Sequence, residues 1–230
     1  MPLILSVETS TRICSVAIHR KEQLLTSAEI HIDQAHGAKL ALLINDIAKF
    51  AGIALKDLNA VAISSGPGSY TGLRIGTSTA KGLCFALGIP LISVDTLKLM
   101  VFQMSMRANV DQGALLCPMI DARRMEVYCL VTDHNLSEIQ PMAPKVIDES
   151  SFTDLLVHKK IIFFGDGAAK CKSILAGKNA VFIDNLYPQA SAVGVMAYQK
   201  FKQTLFESIV DFEPTYLKDF QVKPPQAVKG

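Results

Sequence analysis

One pattern occurs twice in this chain of 230 residues, and it narrows the folds open to it. The apolar run Leu3-Ile4-Leu5-Ser6-Val7 ends in Glu8-Thr9-Ser10-Thr11. A second apolar run, Ile13 to Ile18, follows, then a tight turn at Arg20-Lys21-Glu22 and a third run from Leu24 to Ile32. Further on, Leu115 to Ile120 ends in Asp121-Ala122-Arg123-Arg124, and Met125 to Val131 turns at Asp133-His134-Asn135 toward a strand near Ile139. Short apolar runs bounded by turn residues read as buried strands. Each copy is therefore a strand, a terminal carboxylate, a small polar or basic turn and a second strand. The pattern is open to two readings: a duplication giving two lobes that face one another across a cleft, or two α/β units that each begin with a strand and an acid. The polar stretch Asn109 to Gly113 separates the copies and sets lobe boundaries of 1–108 and 109–230.

Between the copies lies a glycine-rich turn, Ser64-Ser65-Gly66-Pro67-Gly68-Ser69-Tyr70-Thr71-Gly72-Leu73-Arg74-Ile75-Gly76, joining the run Val61-Ala62-Ile63 to a long helical stretch. Such a turn can cradle a phosphate at a helix N-terminus or let a buried helix pack closely. The phosphate signatures fail: counting from Gly68, Leu73 stands where a Walker A loop needs its second glycine, and no lysine precedes Lys81. A dinucleotide fingerprint would need glycine where Thr71 stands, and no Gly-x-Ser-x-Gly nucleophile elbow is present.

The helix that the turn launches, 71–87, carries only Arg74 and Lys81 as charges, with Gly72, Gly76 and Ala80 at i, i+4 and i+8. It lacks a solvated face, and its small residues form a groove that admits another backbone. The preceding helix, 38–51, has a complete core stripe (Leu40, Leu43, Ile44, Ile47, Ala48, Ala51) and a weakly polar second row, Ala38, Ala41, Leu42 and Asn45. These features predict pairing with another subunit through Ala38, Ala41, Leu42, Asn45, Arg74, Ile75, Gly76 and Thr79.

Other chemistry is sparse. His31 and His36 are five apart, not at a helical metal-ligand interval, so no metal site is predicted. No catalytic residue is assigned. Five cysteines without a Cys-x-x-Cys read as buried reduced thiols. A formal charge of +2 and the absence of Trp advertise neither a broad basic surface nor a base-stacking platform, so any RNA contact is expected through a partner. The N-terminus lacks a basic region before Glu8, and Gly82 to Val94 is too short to span a bilayer. A cytoplasmic protein with no membrane partner is expected, and residues 222–230 are expected to be a disordered tail.

The strings Ile4-Leu5-Ser6-Val7-Glu8-Thr9-Ser10-Thr11, Ser65 to Gly76, Ile120-Asp121-Ala122-Arg123-Arg124 with Glu126-Val127-Tyr128, and Pro214-Thr215-Tyr216-Leu217 resemble the TsaB (YeaZ) family, along nearly the whole chain. That resemblance implies a two-lobed actin-like ATPase (RNase H-like) α/β fold, each lobe a mixed sheet flanked by helices. It implies a part in making N6-threonylcarbamoyladenosine in tRNAs that read codons beginning with A. The family's role is that of a dimerising, activating subunit beside a TsaD-like transferase and a TsaE-like ATPase, with tRNA reached through the complex. The transferase's own histidine pair is not matched here. In nucleotide-binding relatives both lobes supply phosphate loops; Glu8, Thr9, Ser10, Asp121, Gly165, Asp166 and Gly167 stand in the matching places and are expected to form a vestigial cleft. Many members carry Asp where Glu8 stands. The glycine-rich turn (Gly66, Gly68, Ser69, Thr71, Gly72) is expected to shape a helix for pairing, with no cofactor beyond ATP or ADP at a composite site in the complex. The alternative is an independent superfamily enzyme, a nucleotide phosphohydrolase or a glycoprotease-like metallopeptidase.

Overall fold

The computed structural model describes residues 1–32, 36–107 and 111–218. The first sheet has the order β3-β2-β1-β4-β5, built from β1 (Leu3–Glu8), β2 (Cys14–Arg20), β3 (Gln23–Ile30), β4 (Ala60–Ser64) and β5 (Leu91–Val94). The first three strands are antiparallel, and β4 and β5 run parallel to β1. The second sheet has β6 (Leu115–Asp121), β7 (Glu126–Thr132), β8 (Glu138–Val146), β9 (Ile161–Phe164) and β10 (Ala180–Ile183), in the order β10-β9-β6-β7-β8. Its pairings repeat those of the first: β6 is antiparallel to β7 and parallel to β9. Of the two readings of the repeated pattern, this shared topology fits the duplication.

Helices α1 (His36–Phe50), α2 (Tyr70–Leu87), α3 (Thr96–Ser105), α4 (Thr153–Leu156), α5 (Ala168–Cys171) and α6 (Ala190–Lys202) cover the sheets. Alternation along each strand sends residues to opposite faces, and both faces here are apolar. Leu5, Val7, Val61 and Ile63 pack with Leu40, Ile44 and Ile47 of α1 and Ala80 and Cys84 of α2. Ile4, Ala60 and Ala62 pack the other way, against Val193 and Ala197 of α6. In the second sheet Leu116, Ile120 and Ile162 meet α3 through Leu97, Met100 and Met104, while Cys117, Met119 and Phe163 meet Ala168 and Cys171 of α5 on the far face. All five cysteines are free and buried, and among the described residues no helix is long and apolar enough to cross a membrane.

Two expectations change. The lobes are not consecutive halves of the chain: α3, expected in the first, packs on the second sheet, and α6, from the second half, returns to cover the first sheet. Apolar residues on both sides of α3 and α6 make them the filling between the sheets, a long-range arrangement that periodicity cannot assign. The sequence also reads the last helix as running from Ala190 to Phe206, but it stops at Lys202, since Thr204 takes a positive φ of 55°.

Beyond α6 the chain forms a strap over the first lobe. Glu207 bridges to Leu91, Lys81 Nζ donates to the carbonyls of Val210 and Phe212 at 3.2 and 3.1 Å, and Thr215 N donates to Ser65 O at 2.7 Å. Tyr216 lies against Tyr70 with ring centroids 5.0 Å apart, and Lys218 reaches Glu126 of β7. The Pro214-Thr215-Tyr216-Leu217 string is therefore part of the tie between lobes. The expected disordered tail, 222–230, lies outside the described residues.

Candidate functional site

The glycine-rich turn and the first strand-end carboxylate form one buried unit. Ser69 caps α2, its Oγ accepting from Gly72 N at 3.3 Å, and Ser69 N donates to Ser10 O at 2.6 Å. Thr9 Oγ1 donates to Gly72 O at 2.8 Å. A Cβ at Gly72 or Gly76 would stand under 3.0 Å from Thr9, and one at Gly68 under 3.0 Å from Ser10. The expected groove along Gly72, Gly76 and Ala80 is real, but the backbone it admits is this chain's own Thr9–Ser10 turn. Gly76 is buried and cannot belong to a surface where another subunit docks. The physical reason is direction: the small-residue face of α2 points at β1, and only the opposite face meets solvent.

Glu8 sits at the centre of this unit, fully buried. Its Oε1 accepts from Ser10 N at 2.7 Å and from Ser64 Oγ at 2.8 Å, whereas Oε2 has no partner among the described residues. Burial pushes its pKa up to about 7 against the hydrogen bonds from Ser10 and Ser64, with the charge of Asp166 adding to the rise.

The second copy is open where the first is closed. Asp121 is exposed; its Oδ1 accepts from Arg123 N at 2.8 Å and pairs with Lys170. Lys170 Nζ also donates to Glu126 O at 2.6 Å, which clamps the base of the β6–β7 hairpin. Asp166 Oδ1 accepts from Asp121 N at 3.1 Å, and burial raises the Asp166 pKa, with Asp121 adding and Arg12 opposing. Gly165 (φ +104°) and Gly167 pack against the backbone of Met119 and Ile120. Asp166 of the second lobe thus lies near enough to Glu8 for its charge to add to the rise in the Glu8 pKa.

An actin-like fold raises the question of a nucleotide, and these residues do not fit one. Binding an anion at a turn takes free backbone N–H groups. Here Ser10 N serves Glu8, Ser69 N serves Ser10 O, and Gly72 N serves Ser69 Oγ. Thr9 and Ser10 have no exposed surface, and Lys170 already holds Asp121. The two close histidines also separate: His31 pairs with Glu29, while buried His36 turns Nε2 to Ile13 O at 3.3 Å. Among the described residues no group of three or more His, Cys, Asp or Glu could hold a metal ion.

The solvent face of the first lobe is a different kind of site. Ala38, Ala41, Leu42 and Asn45 of α1 are exposed side by side, as is Arg74 of α2. Ile75 and Thr79 are half-buried, with Ile75 packed into the core cluster beneath α1. Two large side chains that the sequence reading did not single out, Phe50 (85% exposed) and Phe85 (83%), end α1 and α2, and Leu42 is 55% exposed. The signal was available: each lies off its helix's core stripe. The sequence reading also missed a cleft of about 680 Å³ between the lobes, lined by Arg12, His19, Glu29, Gln103, Tyr187 and Gln189 among others. Arg12 Nη2 donates to Tyr187 Oη at 3.0 Å and Gln103 Nε2 to Tyr187 O at 3.2 Å. None of Glu8, Asp121 and Gly165 to Gly167 lines it, and its residues converge only through tertiary contacts.

Comparison with known proteins agrees with this architecture. Residues 29–228 match the family model described as TsaD: tRNA N6-adenosine threonylcarbamoyltransferase. A protein of Buchnera aphidicola subsp. Schizaphis graminum, named tRNA threonylcarbamoyladenosine biosynthesis protein TsaB, is 30% identical over 198 residues, covering 83% of this chain and 90% of its own. Among solved structures, YeaZ from Pseudomonas aeruginosa shares the fold with a TM-score of 0.80 at 24% identity, over 94% of this chain and 100% of that one. The activator of the 2-hydroxyisocaproyl-CoA dehydratase from Clostridium difficile, solved with bound ADPNP, superposes with a TM-score of 0.54 at 9% identity, over 88% of this chain and 97% of its own.

Proposed function

Because the chain belongs to the TsaB (YeaZ) family, we propose that it is a non-catalytic, activating subunit in the synthesis of N6-threonylcarbamoyladenosine in tRNA, pairing with a TsaD-like transferase through the outer faces of α1 and α2. The observation that carries the reading is the exposed apolar character of that face. Leu42, Phe50 and Phe85 stand in solvent, as do the small residues Ala38 and Ala41 of α1, and exposed apolar surface of this kind is what an association site needs. The same face serves a homodimer when the transferase is absent, so the two assemblies compete. A TsaE-like ATPase joins the complex, which works in the cytoplasm. Because Ser10, Ser69 and Gly72 already spend their N–H groups within the chain and Thr9 and Ser10 are fully buried, the isolated chain binds no nucleotide, and ATP or ADP is held only at a composite site.

The test is the double variant Leu42→Glu/Phe85→Glu. Two charges on an apolar contact should weaken association with the transferase subunit by roughly 30-fold or more in pull-down titrations, with the unfolding midpoint unchanged. Undiminished association would overturn the reading. Calorimetry of the isolated chain with Mg·ATP should give no binding heat; binding that is lost in Asp121→Ala would favour an independent enzyme instead.

A further inference from the structure

The β6–β7 loop is built against its own backbone preferences. Arg123 and Arg124 both take positive φ, 68° and 44°, a region that favours glycine and asparagine and is costly for a long side chain. Two consecutive residues of this kind in one loop persist only where the surroundings impose them, and such strain collects at functional sites. The surroundings here do impose it: Ala122 N donates to Glu126 O and Glu126 N to Arg123 O, both at 3.1 Å, and Lys170 ties the loop base to Asp121.

What the strained loop presents is charge. Arg123 and Arg124 are exposed, and among the described residues neither guanidinium makes a hydrogen bond or ion pair. The nearby carboxylates are already used, Asp121 by Lys170 and Glu126 by Lys218, so the tip carries two uncompensated cations. It offers no apolar anchor, because Met125 packs into the core of the second lobe and Ala122 is half-buried. A protein partner would need such an anchor; a phosphate backbone needs only positioned guanidinium groups. We propose that the Arg123–Arg124 hairpin tip contacts phosphates of the tRNA directly. This rests on the proposed role in tRNA modification and goes beyond an RNA contact made only through partner subunits.

The test uses the full chain in complex with the transferase subunit, and a full-length tRNA transcript as the probe, with affinity measured by anisotropy from 50 to 200 mM salt. Arg123→Asn/Arg124→Gly installs residues that accept positive φ, so the variant folds and its melting temperature rises. The expected result is weaker RNA binding with a salt slope shallower by about 1.5, the loss of two phosphate contacts. Arg123→Lys/Arg124→Lys should keep most of the slope. An unchanged affinity and slope in the Asn-Gly variant would overturn the proposal, as would failure of the wild-type complex to bind the transcript at all. Loss of transferase association in the Asn-Gly variant, with RNA binding intact, would assign the tip to a protein contact and also overturn it. Because the α1/α2 variants report partner association separately, failure of that interface and failure of this tip give different signatures.

Discussion

The β1–β2 turn and the β6–β7 turn are the same supersecondary element used twice, in sheets of identical strand order, and they have opposite fates. In the first lobe the turn is swallowed. Glu8, Thr9 and Ser10 have no exposed surface, and the glycines of α2 close over them. In the second lobe the turn stays in solvent, pinned by Lys170 and tipped with two arginines. The difference lies in what packs over each turn: α2 brings Gly72 and Gly76 onto the first, whereas the second is held by the Asp166–Gly167 turn and by Lys170 of the short helix α5. A duplicated frame therefore leaves each copy free to become core or surface according to what covers it.

Filling the contact in the closed turn should have the largest effect. Gly72→Ala sets a Cβ against the backbone carbonyl of Thr9, where neither partner can yield, and should cost about 3 kcal/mol in urea unfolding. A loss below about 1 kcal/mol would mean that the first turn is not core. Next in size is the buried carboxylate. The folded pKa of Glu8, about 7, lies above its ordinary 4.5, so the unfolded chain gives up the proton first as pH rises. Its favourable contribution is complete below about pH 4.5 and is lost as pH climbs through 7. Glu8→Gln, which mimics the protonated form, should therefore gain on the order of 2 kcal/mol at about pH 8 and almost nothing near pH 4.5. A flat difference across that range would break the account of the closed turn.

The open turn should answer more weakly. Lys170→Met removes the clamp on Asp121 and Glu126 O and should cost about 1.5 kcal/mol, read as a lowered melting temperature. Smallest is Arg123→Asn/Arg124→Gly, a gain of about 1 kcal/mol from relieved strain, partly offset by glycine's greater freedom in the unfolded chain. If the closed turn tolerated its variants better than the open one, the contrast between core and surface would have to be inverted.

Much of this was legible beforehand because it depends on local pattern. The strands at 3–7, 13–18 and 115–120 and the two long helices derive from apolar periodicity. The pairing reading of the helices drew on Ala38, Ala41, Leu42 and Asn45, whose exposure was legible because a row opposite a core stripe is fixed by helical geometry. It failed at Gly76. Helical spacing shows that Gly72, Gly76 and Ala80 share a face, but not what that face meets, and the contact with Thr9 spans more than sixty positions.

By itself the sequence determined which segments are strands and helices, which helix faces are apolar, and the family, because motif and periodicity are properties of neighbouring residues. Only the tertiary structure decided that α3 and α6 fill the space between the sheets, that the glycine turn closes on Thr9 and Ser10, and that Arg123 and Arg124 stand strained at a hairpin tip, without an ion-pair partner among the described residues. Each of these depends on distant segments meeting. Whether a carboxylate ends up buried like Glu8 or exposed like Asp121 is settled by the element packed over it, not by the residues beside it.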